Sequence, residues 1–291
     1  MATTILEPDQ FTGLRRRLWQ LGLVAPLVWR NLVSRRRVTA PGDGPVVSLT
    51  TFGSRTARVF LAIESIGRGS TLPSRIVLWL DEPAQLARPP RTLRRLRRRG
   101  LEIRPTPDHG PHKKYFPYVL SEARHVRPLV TADDDTIYPR EWLARLVEAH
   151  RATPDHVVCF RARRVSFEAD GSLAPYASWP LVVDARSSPL TLPTGVSGVL
   201  YPPGMLDALR DAGTAFEACA PRTDDIWLHA TALRTGTPVR QVADRPGLFP
   251  LIPGSQRESL VASNVHRSGN DHALRATYSA AELELLRAAA G

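Results

Sequence analysis

Between Pro45 and Ala162 the chain alternates short apolar runs with segments of helical periodicity, and this restricts the fold more than any other feature. "PVVSLTTF" (45–52) is an apolar, β-branched run after the turn-rich "APGDGP", which reads as a first buried strand. From Arg58 to Ile66 the apolar residues Val59, Ala62, Ile63 and Ile66 fall at the i, i+3, i+4, i+7 spacing of one helix face. "RIVLWLDEP" supplies a second strand at Ile76–Leu80, "RTLRRLRRRG" a short basic helix stopped by Gly100, and "LEIRP" a third strand. "RPLVTADDD" is a fourth strand. "PREWLARLVEAHRA" is a helix opened by Pro139, with Trp142, Leu143, Leu146 and Val147 on one face, and "HVVCFRA" (156–162) is another strand. Apolar strands separated by helices predict an α/β domain with a mostly parallel, Rossmann-like central sheet covered by helices on both faces.

Beyond Gly171 the pattern loosens into proline and glycine loops up to Gly204. A helix is expected over Asp224–Arg234, with Thr223 as N-cap and Gly236 just past its end, then a short strand in "TPVRQVA" and a terminal helix over Ala280–Ala289. No repeat, low-complexity tract or linker is evident. The expectation is one domain over 45–291, preceded by a basic N-terminal extension, 1–44.

Lys and Arg number 39 against 28 Asp and Glu, a net charge of +11 that suits a polyanion, an anionic membrane or a phosphorylated substrate. The excess is mostly Arg in an Arg-, Ala- and Pro-rich composition that base bias alone produces, so charge does not choose among them. A nucleic-acid-binding protein is the class the charge first suggests. No nucleic-acid motif is present and no aromatics interleave with the Arg run, so no nucleic-acid partner is expected. No P-loop or GxGxxG supports an ATPase or a dehydrogenase. Cys159 and Cys219 form neither a CxxC pair nor a zinc spacing and read as two reduced thiols in the cytoplasm. "LWQLGLVAPLVWRNLV" (Leu18–Val33) falls short of the ~20 apolar residues of a membrane span and is broken by Gln20, Pro26 and Arg30. With "RRR" on either side, it is a basic amphipathic segment that either rests on the inner face of the cell membrane or packs on its own domain.

In an open α/β sheet, ligands bind outside the carboxyl ends of the strands. Here the first strand ends in Thr50, Thr51 and Arg55, the second in Asp81, and the fourth in Asp133, Asp134 and Asp135. An acidic first helical turn accounts for one or two carboxylates, not three at a strand end. Residues i and i+2 of an extended segment project to the same side, so Asp133 and Asp135 can approach one hard cation, Mg²⁺ or Mn²⁺. Asp224 and Asp225 open the helix of "TDDIW". They either serve the helix dipole, worth a few tenths to about 1 kcal/mol, or include a general base.

These pieces, "VVSLTTFGSR", "IVLWLDEP", "DHGPHKKYFPY", "LVTADDDTIYP", "LPTGVSGVLYPP", "RTDDIWLHATALRTGTPV" and "NVHRSGND", follow one another over about Val46–Asp271. In that order the chain resembles nucleotide-sugar-dependent glycosyltransferases of the GT-A fold, similar to bacterial family-2-like enzymes. The D-x-D alone is a weak motif; the ordered set is more specific. The resemblance implies a hexosyltransferase-like enzyme using a divalent metal (Mn²⁺ or Mg²⁺) and a nucleoside-diphosphate sugar, a UDP-sugar favoured. It implies transfer with inversion to a glycan or lipid-linked acceptor hydroxyl, in glycan or glycolipid synthesis. Thr50, Thr51 and Arg55 match the loop bordering the nucleotide, and Asp81 a strand end that contacts base or ribose. Lys114 matches a phosphate-binding lysine, with Lys113 as the alternative. Asp133 and Asp135 match the metal and ribose positions, Asp135 in direct metal contact, with Asp134 on the donor side supporting the loop. Asp225, or else Asp224, matches the base, and His266 matches a histidine that a C-terminal loop adds to the metal. Gly195 and Gly198 either admit the sugar or make an ordinary turn; Trp179 and Trp227 either stack on a sugar or fill the core. The remaining alternative is another Mg²⁺-dependent phosphoryl- or nucleotidyl-transfer enzyme, which shares the same metal and phosphate logic.

Overall fold

In a computed structural model, residues 13–255 and 269–291 are described; the histidine expected to join the metal, His266, lies outside them. Helix α1 (Gly13–Val33) precedes β1 (Val46–Thr50), α2 (Phe60–Gly67), β2 (Arg75–Leu80), α3 (Pro83–Ala87), α4 (Arg91–Arg97), β3 (Leu101–Pro105), α5 (Phe116–Ser121), β4 (Leu129–Thr131), α6 (Trp142–Ala152) and β5 (Val157–Cys159). Then come β6 (Ala162–Arg164), β7 (Thr191–Pro193), β8 (Val199–Tyr201), α7 (Pro203–Asp211), α8 (Asp224–Arg234) and β9 (Val239–Gln241). Helices Gly269–Thr277 and Ala280–Ala290 close the described chain.

Seven strands form one sheet in the order β3-β2-β1-β4-β8-β5-β9. β1 pairs in parallel with β2 and β4, and β2 with β3. β8 runs antiparallel to both of its neighbours, and β5 and β9 are again parallel. The fold is therefore the mostly parallel α/β domain that the sequence leads one to expect. Alternate strand residues divide between two cores, as the period of two dictates. Val47, Leu49, Ile76, Leu78 and Val130 pack with Ile63 of α2, Leu96 of α4 and Leu146 of α6. Val46, Val77, Trp79 and Leu129 pack on the other face with Val119 of α5, Leu206 of α7 and Ile226 of α8.

Several local expectations are corrected. The strand expected over 156–162 is two: β5 stays in the main sheet, and after Phe160–Arg161 the chain leaves it so that β6 pairs antiparallel with β7. The helix expected from Pro139 begins at Trp142, one turn later, where the Trp142 N–H reaches the Pro139 carbonyl (3.1 Å). Thr223 holds the N-cap position of α8, but its hydroxyl makes no cap bond and is buried without a partner among the described residues. The acidic residues Asp224 and Asp225 stand in the first turn of that helix. Trp179 and Trp227 are both core residues.

One face of α1 packs on the domain. Leu27 is fully buried, and Glu64 of α2, also fully buried, receives Arg30 Nε (3.0 Å), Asn31 Nδ2 (3.0 Å) and Arg99 Nη2 (3.0 Å). A carboxylate out of water requires such partners. No described helix is long and apolar enough to cross a membrane.

Candidate functional site

Because β1 lies between β2 and β4 and parallel to both, the carboxyl ends of the three strands emerge side by side. Thr50 turns back into the sheet, its hydroxyl donating to the Trp79 carbonyl (3.0 Å). The Thr51 hydroxyl reaches across to Asp134 Oδ2 (2.6 Å). A 3-10 turn over Gly53–Ala57 then aims Arg55 at the acidic run, where it pairs with Asp134 Oδ1 (2.9 Å) and with Asp135. Both Asp134 oxygens are thus engaged. Burial pushes its pKa up to about 6 against the pull of Arg55 and Thr51. Asp134 ties β4 to the β1 loop.

A second 3-10 turn, Gly110–Lys114, delivers two lysines to different acids. Lys113, almost wholly buried, pairs with Asp81 Oδ2 (2.6 Å) and Asp108 Oδ1 (2.8 Å). The other oxygen of Asp81, Oδ1, is buried with no hydrogen-bond partner among the described residues. Lys114 Nζ lies 2.5 Å from Asp133 Oδ1. Burial alone would lower the Lys114 pKa, but Asp133, Asp224 and Asp225 outweigh it and hold the ammonium well above its usual value. Asp133 is pushed up, first by burial and then by Asp135 and Asp224, with Lys114 opposing.

Asp225 faces this group from the start of α8. Its Oδ1 accepts the N–H of Gly195 (2.9 Å). Burial, then the charge of Asp224, pushes its carboxyl up to about 8. Gly195 is a close-approach glycine: a Cβ there would sit 3.0 Å from Asp225 Oδ1 and 3.7 Å from Lys114 Nζ. Gly198 has a different reason. Its φ is +94°, following Ser197 at +84°, and a Cβ would lie 2.7 Å from the Trp142 ring. Trp142 Nε1 donates to the Ser197 carbonyl (2.8 Å), which fixes this loop beside the site.

Three supports carry no signal of their own in the sequence. His112 stacks on Phe216 (3.9 Å), and its Nδ1 and Nε2 lie at the Tyr115 hydroxyl (3.0 Å) and the Ala220 carbonyl (2.7 Å). It ties the lysine turn to the loop that leads into α8, and burial lowers its pKa, favouring the neutral ring. The Tyr138 hydroxyl accepts the Asp133 N–H (2.6 Å), while the Tyr138 N–H is held by Ser65 Oγ (2.9 Å). Trp142 is the third. His112 stands inside the motif that points to Lys114; the other two only look like core aromatics in the sequence.

Among the described residues, no group of three or more His, Cys, Asp or Glu side chains is arranged to hold a metal ion. The donor chemistry nonetheless suits a hard cation. Asp133 and Asp135 offer oxygen only, and Mg²⁺ or Mn²⁺ takes its remaining ligands from water and phosphate. The two cysteines are unpaired thiols, and burial pushes Cys159 up to about 12.

No family model matches the sequence, and no curated protein matches it. The solved structures similar in architecture include the following three. TarS 1-349 of S. aureus is 13% identical with a TM-score of 0.48, covering 83% of this chain and 69% of that one. The mannosyltransferase PcManGT from Pyrobaculum calidifontis, in complex with GDP-Man and Mn²⁺, is 14% identical with a TM-score of 0.49, covering 94% and 78%. A CMP:2-keto-3-deoxy-manno-octonic acid synthetase complexed with CTP is 10% identical with a TM-score of 0.45, covering 79% and 100%. Likeness at this level is one of broad architecture, so the chemistry has to be read from the side chains.

Proposed function

We propose that the chain is a GT-A-type glycosyltransferase. It moves a sugar from a nucleoside-diphosphate sugar, a UDP-sugar first, to a hydroxyl of a glycan or lipid-linked acceptor, with inversion. The observation that carries this reading is the position of Lys114. It pairs with Asp133 at the strand ends and sits within the field of Asp224 and Asp225 at the start of α8. One cation thereby links an acidic group suited to the donor with a carboxylate pair suited to the acceptor.

The roles follow from the chemistry. The unpartnered Asp81 Oδ1 is an acceptor for a base N–H or a ribose hydroxyl. Thr50 and Thr51 shape the loop beneath it. Arg55 and Lys114 are the cations for the diphosphate, and the raised pKa of Lys114 keeps it charged at neutral pH. Asp135 and Asp133 would hold Mg²⁺ or Mn²⁺, which supplies Lewis acidity toward the leaving diphosphate. Ionised Asp225 takes the acceptor's hydroxyl proton as that oxygen bonds to the anomeric carbon. The bond from that carbon to the diphosphate breaks, and its electron pair leaves with the phosphate. A carboxylate raised toward neutral pH is a better base than an ordinary aspartate.

A thermal-shift panel of nucleotide sugars with and without Mn²⁺ tests donor binding, since a ligand selective for the native state raises the melting temperature. Asp135→Ala should abolish both metal-dependent donor hydrolysis and transfer. Near-normal activity in that variant overturns the metal assignment, and a product with retained anomeric configuration overturns the base.

A further inference from the structure

Over Leu18–Val33, where its side chains are described, the half of α1 that does not pack on the domain is apolar. Leu18 (58% exposed), Leu21 (61%), Trp29 (66%) and Leu32 (52%) form one stripe along the helix, with Ala25 between them and Val33 (52%) at its end. Among the described residues, five of the twelve exposed large hydrophobic residues fall on this one helix, which is a patch rather than scatter. At 1.5 Å per residue the helix is roughly 30 Å long, so the patch is extended and shallow. Among the described side chains it contains no charged one.

The charge stands at its borders. Arg35, Arg36 and Arg37 follow the helix and are exposed, and Arg91, Arg94, Arg97 and Arg98 are exposed on or just after α4. α4 lies against the end of α1: Asn31 Nδ2 donates to the Thr92 carbonyl (3.2 Å), and Arg99 Nε to the Arg36 carbonyl (2.7 Å). These seven arginines make no salt bridge among the described residues. The sequence has no Asp or Glu from Gln10 to Gly42 or from Arg88 to Leu101.

We propose that the outward face of α1, bordered by these arginines, docks the protein on an anionic lipid surface. An apolar stripe entering the acyl boundary, with cations level with acidic headgroups, is the arrangement such a surface selects. A second copy of this chain fits less well, because an isologous contact would offer these arginines the same basic segments, with no Asp or Glu from Gln10 to Gly42 or from Arg88 to Leu101 to pair with them. Trp29 is amphipathic and suited to the depth of the headgroups. The proposal does not rest on the transferase reading.

Flotation of the full chain with phosphatidylcholine vesicles, with and without 30 mol% phosphatidylglycerol (a composition of about the charge that attracts basic segments), tests it. The protein should float with the anionic vesicles and stay behind with the neutral ones. The double variant Leu21→Glu, Trp29→Glu should lose at least about tenfold in partitioning, in keeping with lost apolar burial, and Arg35→Glu, Arg37→Glu should weaken binding to the anionic vesicles and leave what remains less dependent on salt. All four side chains are exposed, and an unchanged melting temperature checks that each variant folds. Failure to float, equal flotation of the Leu21/Trp29 variant, or a lipid-free dimer that this variant dissolves would each overturn the assignment.

Discussion

Replacing Lys114 with methionine keeps the length of the side chain and removes its charge. At 2.5 Å and an effective dielectric of about 20, the gross attraction between Lys114 and Asp133 is about 7 kcal/mol. The measured cost of breaking a buried pair is smaller, about 3–5 kcal/mol, because the surviving charge relaxes. Side chains here are 19% and 15% exposed, which favours the lower figure. A loss of about 3 kcal/mol corresponds to roughly 6–12 °C in melting temperature for a chain of this size. The loss should depend on pH. Asp133 already has a folded-state pKa raised by burial, and without Lys114 it rises further. A carboxylate raised in the native state destabilises fully above its folded pKa; the penalty shrinks as pH falls below that value and vanishes at the lower, unfolded pKa. The difference between Lys114→Met and the parent, measured by calorimetry, should therefore shrink from pH 7.5 to pH 5. Adding Asp133→Asn should restore much of the stability at pH 7.5, giving a favourable coupling in a double-mutant cycle. An equal loss at both pH values with no rescue would mean that Lys114 contributes through its aliphatic stem and not as the counter-charge of the site.

Other outcomes follow from neighbouring residues. Asp225→Asn keeps an acceptor for the Gly195 N–H and removes a buried charge beside Asp224, so it should abolish transfer while stabilising the fold by about 1–2 kcal/mol. That gain is full above the raised carboxyl's pKa of about 8 and should fade steadily as pH falls from there toward the ordinary aspartate range of about 4, which melting curves across that window check. The two glycines of the same loop should separate cleanly. Gly198→Ala meets both a positive φ and the Trp142 ring and should cost about 1–3 kcal/mol or more in denaturant titration. Gly195→Ala has no such backbone penalty, so it should melt within a few degrees of the parent and lose activity through the crowding of Asp225.

The fold was legible in the sequence wherever local periodicity and burial agree. The runs ending at Thr50, Leu80 and Thr131 announce themselves because a strand covered on both faces has to be continuously apolar. Helix α8 announces itself through its first-turn acids and the glycine past its end. The short β8 and the division of 156–162 between two sheets were not legible, because three-residue strands take their pairing from neighbours far along the chain. The acidic run stood out as a group, since like charges at a strand end require a reason, yet its division of labour did not.

Sequence by itself determined the mostly parallel α/β domain, the row of acids at its strand ends and the basic, broken apolar segment at the N-terminus. Local spacing decides those features. Only the tertiary structure decided that Lys113 serves Asp81 while Lys114 serves Asp133, that Asp134 ties β4 to the β1 loop, and that α1 buries one face and leaves the other bare. Each of these depends on which side chains meet across many residues of chain, and burial then sets the charge that each of them carries.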